Sequence, residues 1–210
     1  LYRGRFVYKD GYWSREPDNE NAIWERAKRR VLILTKDLND EEAWDIRAET
    51  GRNNFSGENN VVVSAPFYKN LMRWVYGLLT IDANGHAKKF AEIDRQDVYQ
   101  LFYDQAPVVR VNCKKQVGTS SIETSVLKSY MERYKDLLVK QIAAYDANIL
   151  LCCGASGAIK DFVAENYLTD LMKLNNWIYY SPRTRKMVID SWHPTYTCLL
   201  YTSPSPRDRT

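Results

Sequence analysis

The chain has 210 residues, enough for one ordinary domain with a sizeable core. Hydrophobic residues make up 45% and charged residues 27%, which excludes wholesale disorder, collagen-like repetition and a disulfide-built miniprotein. The net charge of +4 is a mild basic excess that permits a nucleic-acid partner without requiring one. No apolar run approaches the roughly 18 residues of a membrane-spanning helix.

The chain opens Leu1-Tyr2-Arg3-Gly4-Arg5-Phe6 and shows no signal-peptide pattern. Residues 1–30 are charged and aromatic, with a turn at Glu16-Pro17-Asp18-Asn19. Asn21–Arg30 has helical composition and ends in the basic cluster Arg26, Lys28, Arg29 and Arg30, so 1–30 reads as an N-terminal helical extension. Val31-Leu32-Ile33-Leu34 is short, apolar and branched, as a buried parallel strand should be. Thr35–Asp40 is the loop leaving it. Glu41–Glu49 suits a short helix, and Gly51–Asn60 is a Gly/Asn-rich loop.

Pro66–Leu79 reads as a helix with Phe67, Leu71, Trp74, Val75 and Leu78 on one face. Asp82–Gly85 is a turn, and Asp94–Tyr103 is helical, with Val98, Leu101 and Phe102 clustered. Pro107–Cys113 is a second buried strand. Ser120-x-x-Glu123 has the form of a capping box. It opens a long helix, Ile122–Tyr145, with an apolar stripe of Val126, Leu127, Tyr130, Met131, Tyr134, Leu137, Leu138 and Ile142. Asn148–Cys153 is a third strand closed by Gly154, Gly157–Leu174 is mainly helical, and Met187–Trp192 is a fourth strand.

The C-terminal stretch Cys198–Asp208 resembles no structural element. It matches, residue for residue, the translation of a transposase-type sequencing adaptor, so 198–210 is expected to be a non-native tail. Without it the chain is one charge less basic, since Arg207 and Arg209 outweigh Asp208. Three cysteines then remain: Cys113, Cys152 and Cys153. No C-x-x-C pair occurs, so no zinc knuckle, iron–sulfur site, other metal or cofactor is expected. Reduced, buried thiols in a cytoplasmic protein are the natural reading.

Four strands separated by helix-length crossovers predict an α/β domain over 31–197, mostly parallel, with helices on both faces. Right-handed crossovers place all strand C-termini on one edge, where ligands of such sheets bind. The first strand delivers Asp37 and Asn39 to that edge, the second Asn112, Lys114 and Lys115, and the fourth His193. An amide can donate to and accept from a base edge at once. A carboxylate can orient water or stabilise a cationic sugar. A neutral histidine can donate to a departing anion. Each has a plainer reading: a structural histidine, a helix-capping aspartate, an asparagine that bonds a loop.

The order of these elements resembles the uracil-DNA glycosylase superfamily over roughly Val31–Tyr196. Val31–Asp40 takes the place of its first motif, an apolar strand followed by GQDPY or GExPG. Ala65-Pro66-Phe67-Tyr68-Lys69-Asn70-Leu71 is similar to the helix written PPSLxNI, and Val111-Asn112-Cys113-Lys114-Lys115 to the strand ending in a base-reading Asn. Ile149–Gly154 resembles the IVALG strand, and His193-Pro194-Thr195 the His-Pro-Ser motif. The resemblance implies a three-layer αβα sandwich around a four-stranded, mainly parallel sheet of order 2-1-3-4. It implies that Asp37 positions water or stabilises the sugar cation and that His193 stabilises the departing base. Asn112, Phe55 and Asn39 would hold the base, and Lys114, Lys115 and Thr195 the nucleic-acid backbone. A monomer acting on DNA follows, with the target base flipped from the duplex.

The first motif departs from the pattern, with Thr35, Leu38 and Asn39 where Gly, Pro and an aromatic residue or Gly are usual. A second function class is therefore a catalytically inactive module binding nucleic acid or a nucleotide on the same fold. A third is a different α/β enzyme such as a nucleotide hydrolase, although no phosphate loop or dinucleotide fingerprint is present.

Overall fold

Val31–Thr35 (β3) is buried at every position because it lies inside a sheet covered on both faces. In this computed structural model, which describes residues 6–9, 12–15, 19–36, 66–104, 106–116 and 122–196, β3 pairs in parallel with Val108–Asn112 (β4) and Ile149–Cys153 (β5). Strand β5 pairs in parallel with Lys186–Ser191 (β8). Two further strands, Met172–Lys173 (β6) and Ile178–Ser181 (β7), extend the sheet antiparallel beyond β8. The full order is β4-β3-β5-β8-β7-β6. The sheet is thus six-stranded and mixed, not the four-stranded sheet expected. Its four parallel strands are adjacent, with β3 and β5 between β4 and β8.

Side-chain alternation sorts the core into two layers. Leu32, Leu34, Val109, Val111, Leu150, Cys152 and Val188 face one layer. That layer is covered by Thr124–Arg133 (α5), Lys135–Tyr145 (α6) and Ala158–Asn166 (α7). Val31, Ile33, Val108, Ile149, Leu151 and Cys153 face the other. Pro66–Leu79 (α2) and Gln96–Asp104 (α4) cover it, through Leu71, Met72, Val75, Tyr76, Tyr99 and Tyr103. A short helix, Phe90–Ile93 (α3), joins them.

Several local expectations change. Residues 1–30 hold an antiparallel hairpin, Phe6–Lys9 (β1) with Tyr12–Arg15 (β2), before the helix Asn19–Arg26 (α1). The long helix is two, because Tyr134 at φ −111°, ψ 22° breaks it between α5 and α6. The buried stripe keeps one phase across that break but is narrower than the apolar pattern suggests. Leu127, Met131, Leu138 and Ile142 are buried, whereas Val126 and Leu137 are exposed. Helix α5 begins at Thr124 with Glu123 at the cap position, and Glu123 makes no side-chain cap bond; Ser120 lies outside the described residues. Among the described side chains of α4 the buried ones are Tyr99 and Tyr103, and the side chain of Leu101 lies outside the described ones. Helix α7 stops at Asn166, and the apolar residues that mimic its continuation, Leu168, Leu171 and Met172, lead into the β6–β7 hairpin. The helix proposed for 41–49, the loop 51–60 and the tail 198–210 also lie outside the described residues.

The N-terminal edge of the sheet is clipped by charge. Lys186 is buried, and its Nζ donates to Asp146 Oδ1 at 2.5 Å and to the Ala147 carbonyl at 2.9 Å. Arg30 reaches Asp146 from the other side at 3.2 Å. The Lys186 bond holds the Asp146 carboxyl below its ordinary range. No helix among the described residues is long and apolar enough to cross a membrane.

Candidate functional site

The parallel strands β3, β4, β5 and β8 end on one edge, at Thr35, Asn112, Cys153 and Ser191. Pairing continues past the β3–β4 ladder: Cys113 N donates to Thr35 O and Lys114 N to Lys36 O, both at 2.8 Å. This holds the start of both loops side by side.

Asn112 is buried, and Thr35, also buried, donates its hydroxyl to Asn112 Oδ1. The Thr35 contact fixes the amide. Its oxygen keeps a second lone pair and its nitrogen two donors. Thr35 stood out in the sequence only as a departure from glycine. The structure makes it the residue that positions Asn112.

His193 lies at the other end of the parallel set. Its backbone packs on Gly154, whose φ of +83° and ψ of −163° few residues but glycine adopt. A Cβ at Gly154 would meet His193 Cβ at 3.1 Å. The next turn is held by α2, since Asn70 Nδ2 donates to the Pro194 carbonyl at 2.7 Å. Thr195 sits 2.7 Å from His193 Nδ1 through Oγ1, and its N–H points to the same nitrogen at 3.4 Å. With Nδ1 accepting, the neutral ring carries its proton on Nε2. Burial first, and the Lys36 cation second, push His193 down to about 4. The ring is therefore uncharged at neutral pH.

Phe67 links the two ends of the edge. Its ring centroid lies 5.6 Å from that of His193 and 5.2 Å from the Arg110 guanidinium of β4. Tyr68 lies 5.8 Å from the same guanidinium. Arg110 Nε is buried and has no hydrogen-bond partner among the described residues. The signal for Arg110 was available in the sequence: it is the one charged residue inside Val108-Val109-Arg110-Val111. Asp190, in β8, was missed. Burial raises its carboxyl, Lys160 opposes that rise, and its Oδ2 lies close to Gly157.

Asn112, Lys114, Lys115, His193 and Thr195 all lie on this edge, as the strand ends dictate. Lys115 is exposed, and Lys114 Nζ donates to the Gln116 carbonyl at 3.1 Å. Asp37, Asn39 and Phe55 lie outside the described residues. Among those described, no group of three or more His, Cys, Asp or Glu side chains is placed to hold a metal ion. No family model matches the chain, and no curated protein matches it.

Proposed function

We propose that the chain is a base-excision glycosylase that hydrolyses the N-glycosidic bond of uracil or a related damaged base in DNA, acting as a monomer on the fold of the uracil-DNA glycosylases. The observation that carries this reading is the neutral His193, whose Nδ1 accepts from Thr195 on the edge that also holds the fixed Asn112 amide. A neutral imidazole can still stabilise a leaving anion, because its Nε2–H donates to the base oxygen without transferring its proton. The N-glycosidic electron pair leaves with the base, and water oxygen bonds to the sugar C1′. Asp37, beyond Lys36, orients that water and passes its proton to solvent. Asn112 reads the base edge through the lone pair that Thr35 leaves and through its amide donors.

The test is a uracil-containing oligonucleotide, incubated with the protein and then with alkali. Strand breakage that disappears in both Asp37→Ala and His193→Ala supports the assignment. Equal breakage in wild type and both variants, or none in wild type, refutes it.

One observation favours a second reading, a catalytically inactive module that binds nucleic acid or a nucleotide at the same edge. Thr35 places a side chain where the resembling motif has glycine, and its hydroxyl engages the amide that would read the base. Salt-dependent binding that survives Asp37→Ala without any cleavage selects this reading over the enzyme.

A further inference from the structure

Three large aromatic side chains stand in the open beside His193. Trp177 is 49% exposed, Trp192 55% and Tyr196 51%. They form one continuous group. The Trp192 and Tyr196 rings are stacked, 4.8 Å between centroids and 16° between planes. Trp177 leans on Trp192 at 6.2 Å and 48°. Clusters of exposed rings cost hydration free energy and on most soluble surfaces mark a binding site.

The group is mounted rigidly on the candidate site. Trp192 directly precedes His193, and Tyr196 N donates to the His193 carbonyl at 2.8 Å. Trp177 is fixed from β8, because Asp190 N donates to its carbonyl at 2.8 Å, and by its own N–H to Asn175 Oδ1 at 2.9 Å. In the sheet order, β3 and β4, which lead to Lys36, Lys114 and Lys115, lie on one side of β8, and β7, which follows Trp177, lies on the other. Lys36 is near enough to act on the His193 ring electrostatically, and Lys114 and Lys115 follow β4 alongside it. Rings on one flank and ammonium groups on the other match the two parts of a single strand, whose bases stack and whose phosphates pair with cations.

We propose that Trp177, Trp192 and Tyr196 form a stacking platform for unpaired nucleotides of single-stranded DNA that flank the base held at His193. This rests on the nucleic-acid reading above and deepens it, since it assigns the strand a path and a preference for unpaired bases. The outer ring faces extend the Trp192–Tyr196 stack by one base or more, and the sequence of those bases matters little because every base offers a π-face.

The experiment uses the whole chain and a fluorescein-labelled oligothymidylate of about twelve nucleotides, which contains no uracil. A chain of abasic phosphodiester units of equal length is the comparison. The wild type should bind oligothymidylate at least tenfold more tightly than the abasic chain. Replacing Trp192→Ala together with Tyr196→Ala should weaken oligothymidylate binding by roughly tenfold or more, as loss of base stacking does. It should leave abasic binding unchanged, and Trp192→Phe with Tyr196→Phe should retain most of the affinity. Quenching of wild-type tryptophan emission by oligothymidylate, and not by the abasic chain, reads the same contact without any variant. Equal affinity of the wild type for the two ligands, no binding of oligothymidylate, or equal oligothymidylate binding by the wild type and the alanine pair overturns the platform. Failure of uracil excision leaves these readouts intact, and excision without ring-dependent binding removes the platform while the glycosylase reading stands.

Discussion

Replacing Gly154 by alanine probes the joint between fold and site. Gly154 sits at φ +83°, ψ −163°, a region nearly closed to residues with a Cβ and costing about 1–3 kcal/mol when one is forced there. The added methyl also meets His193 Cβ at 3.1 Å and His193 Cα at 3.4 Å, so the backbone of the site must move as well. Together these give an expected loss of about 2–4 kcal/mol. For a chain of this length that lowers the melting temperature by about 4–16 °C. Gly85→Ala is the control: its φ is +84°, yet nothing lies within 4 Å of the added Cβ, so only the backbone part, about 1 kcal/mol, is lost. Urea denaturation at pH 7 measures both. A second readout is the ring titration of His193 by nuclear magnetic resonance. In Gly154→Ala the displaced ring meets more water and titrates above about 4, toward the ordinary histidine value. A Gly154→Ala unfolding free energy within about 0.5 kcal/mol of wild type, together with an unmoved His193 titration, would refute the argument.

Thr35→Val keeps the shape of the side chain and removes the donor to buried Asn112. It should cost about 1–3 kcal/mol in urea denaturation and weaken any base discrimination in the excision assay. His193 is depressed in the folded state, so its neutral form contributes stability above about pH 6.5, and that contribution is lost as pH falls toward about 4. The stability gap between wild type and His193→Gln should therefore narrow across this window, as followed by denaturation at stepped pH. Asp146→Asn tolerates the left-handed backbone at φ +45° but leaves the buried Lys186 ammonium without its carboxylate, for an expected loss of about 1–3 kcal/mol. Because the Asp146 carboxyl is depressed, that difference should be full at neutral pH and vanish as pH falls below 3.8. Leu71→Ala in the centre of the α2–α4 layer should cost about 2–5 kcal/mol by thermal denaturation.

Strands β3, β4 and β5 were legible because each is a mainly apolar run too short for a helix, and buried on both faces it need not alternate; β8 was legible from Met187-Val188-Ile189. Their edge then followed, and with it Asn112, Lys114, Lys115, His193 and Thr195. The β6–β7 hairpin was not legible. Leu168, Leu171 and Met172 keep a helical spacing past the true end of α7, and only the run Ile178-Tyr179-Tyr180 marks a strand. The break at Tyr134 was hidden for a related reason, since apolar residues continue on both sides of it at the spacing of one unbroken helix. Within the site, Thr35 was concealed because its importance is a contact to a residue 77 positions away. Phe67 read as an ordinary core position of α2, and its span from Arg110 to His193 exists only once the layers are packed.

Among the described residues, three interior thiols form a clock of the molecule's opening. Cys113, Cys152 and Cys153 are buried on both sides of the central strands, and burial pushes each thiol up, Cys113 to about 12. At these three positions a thiol reagent therefore meets neither exposure nor thiolate until β4 and β5 part from their covering helices. The rate at which these groups react under native conditions measures the frequency of that parting. The same protein, with and without a bound oligonucleotide, would report how firmly a ligand at the strand ends holds the layers shut.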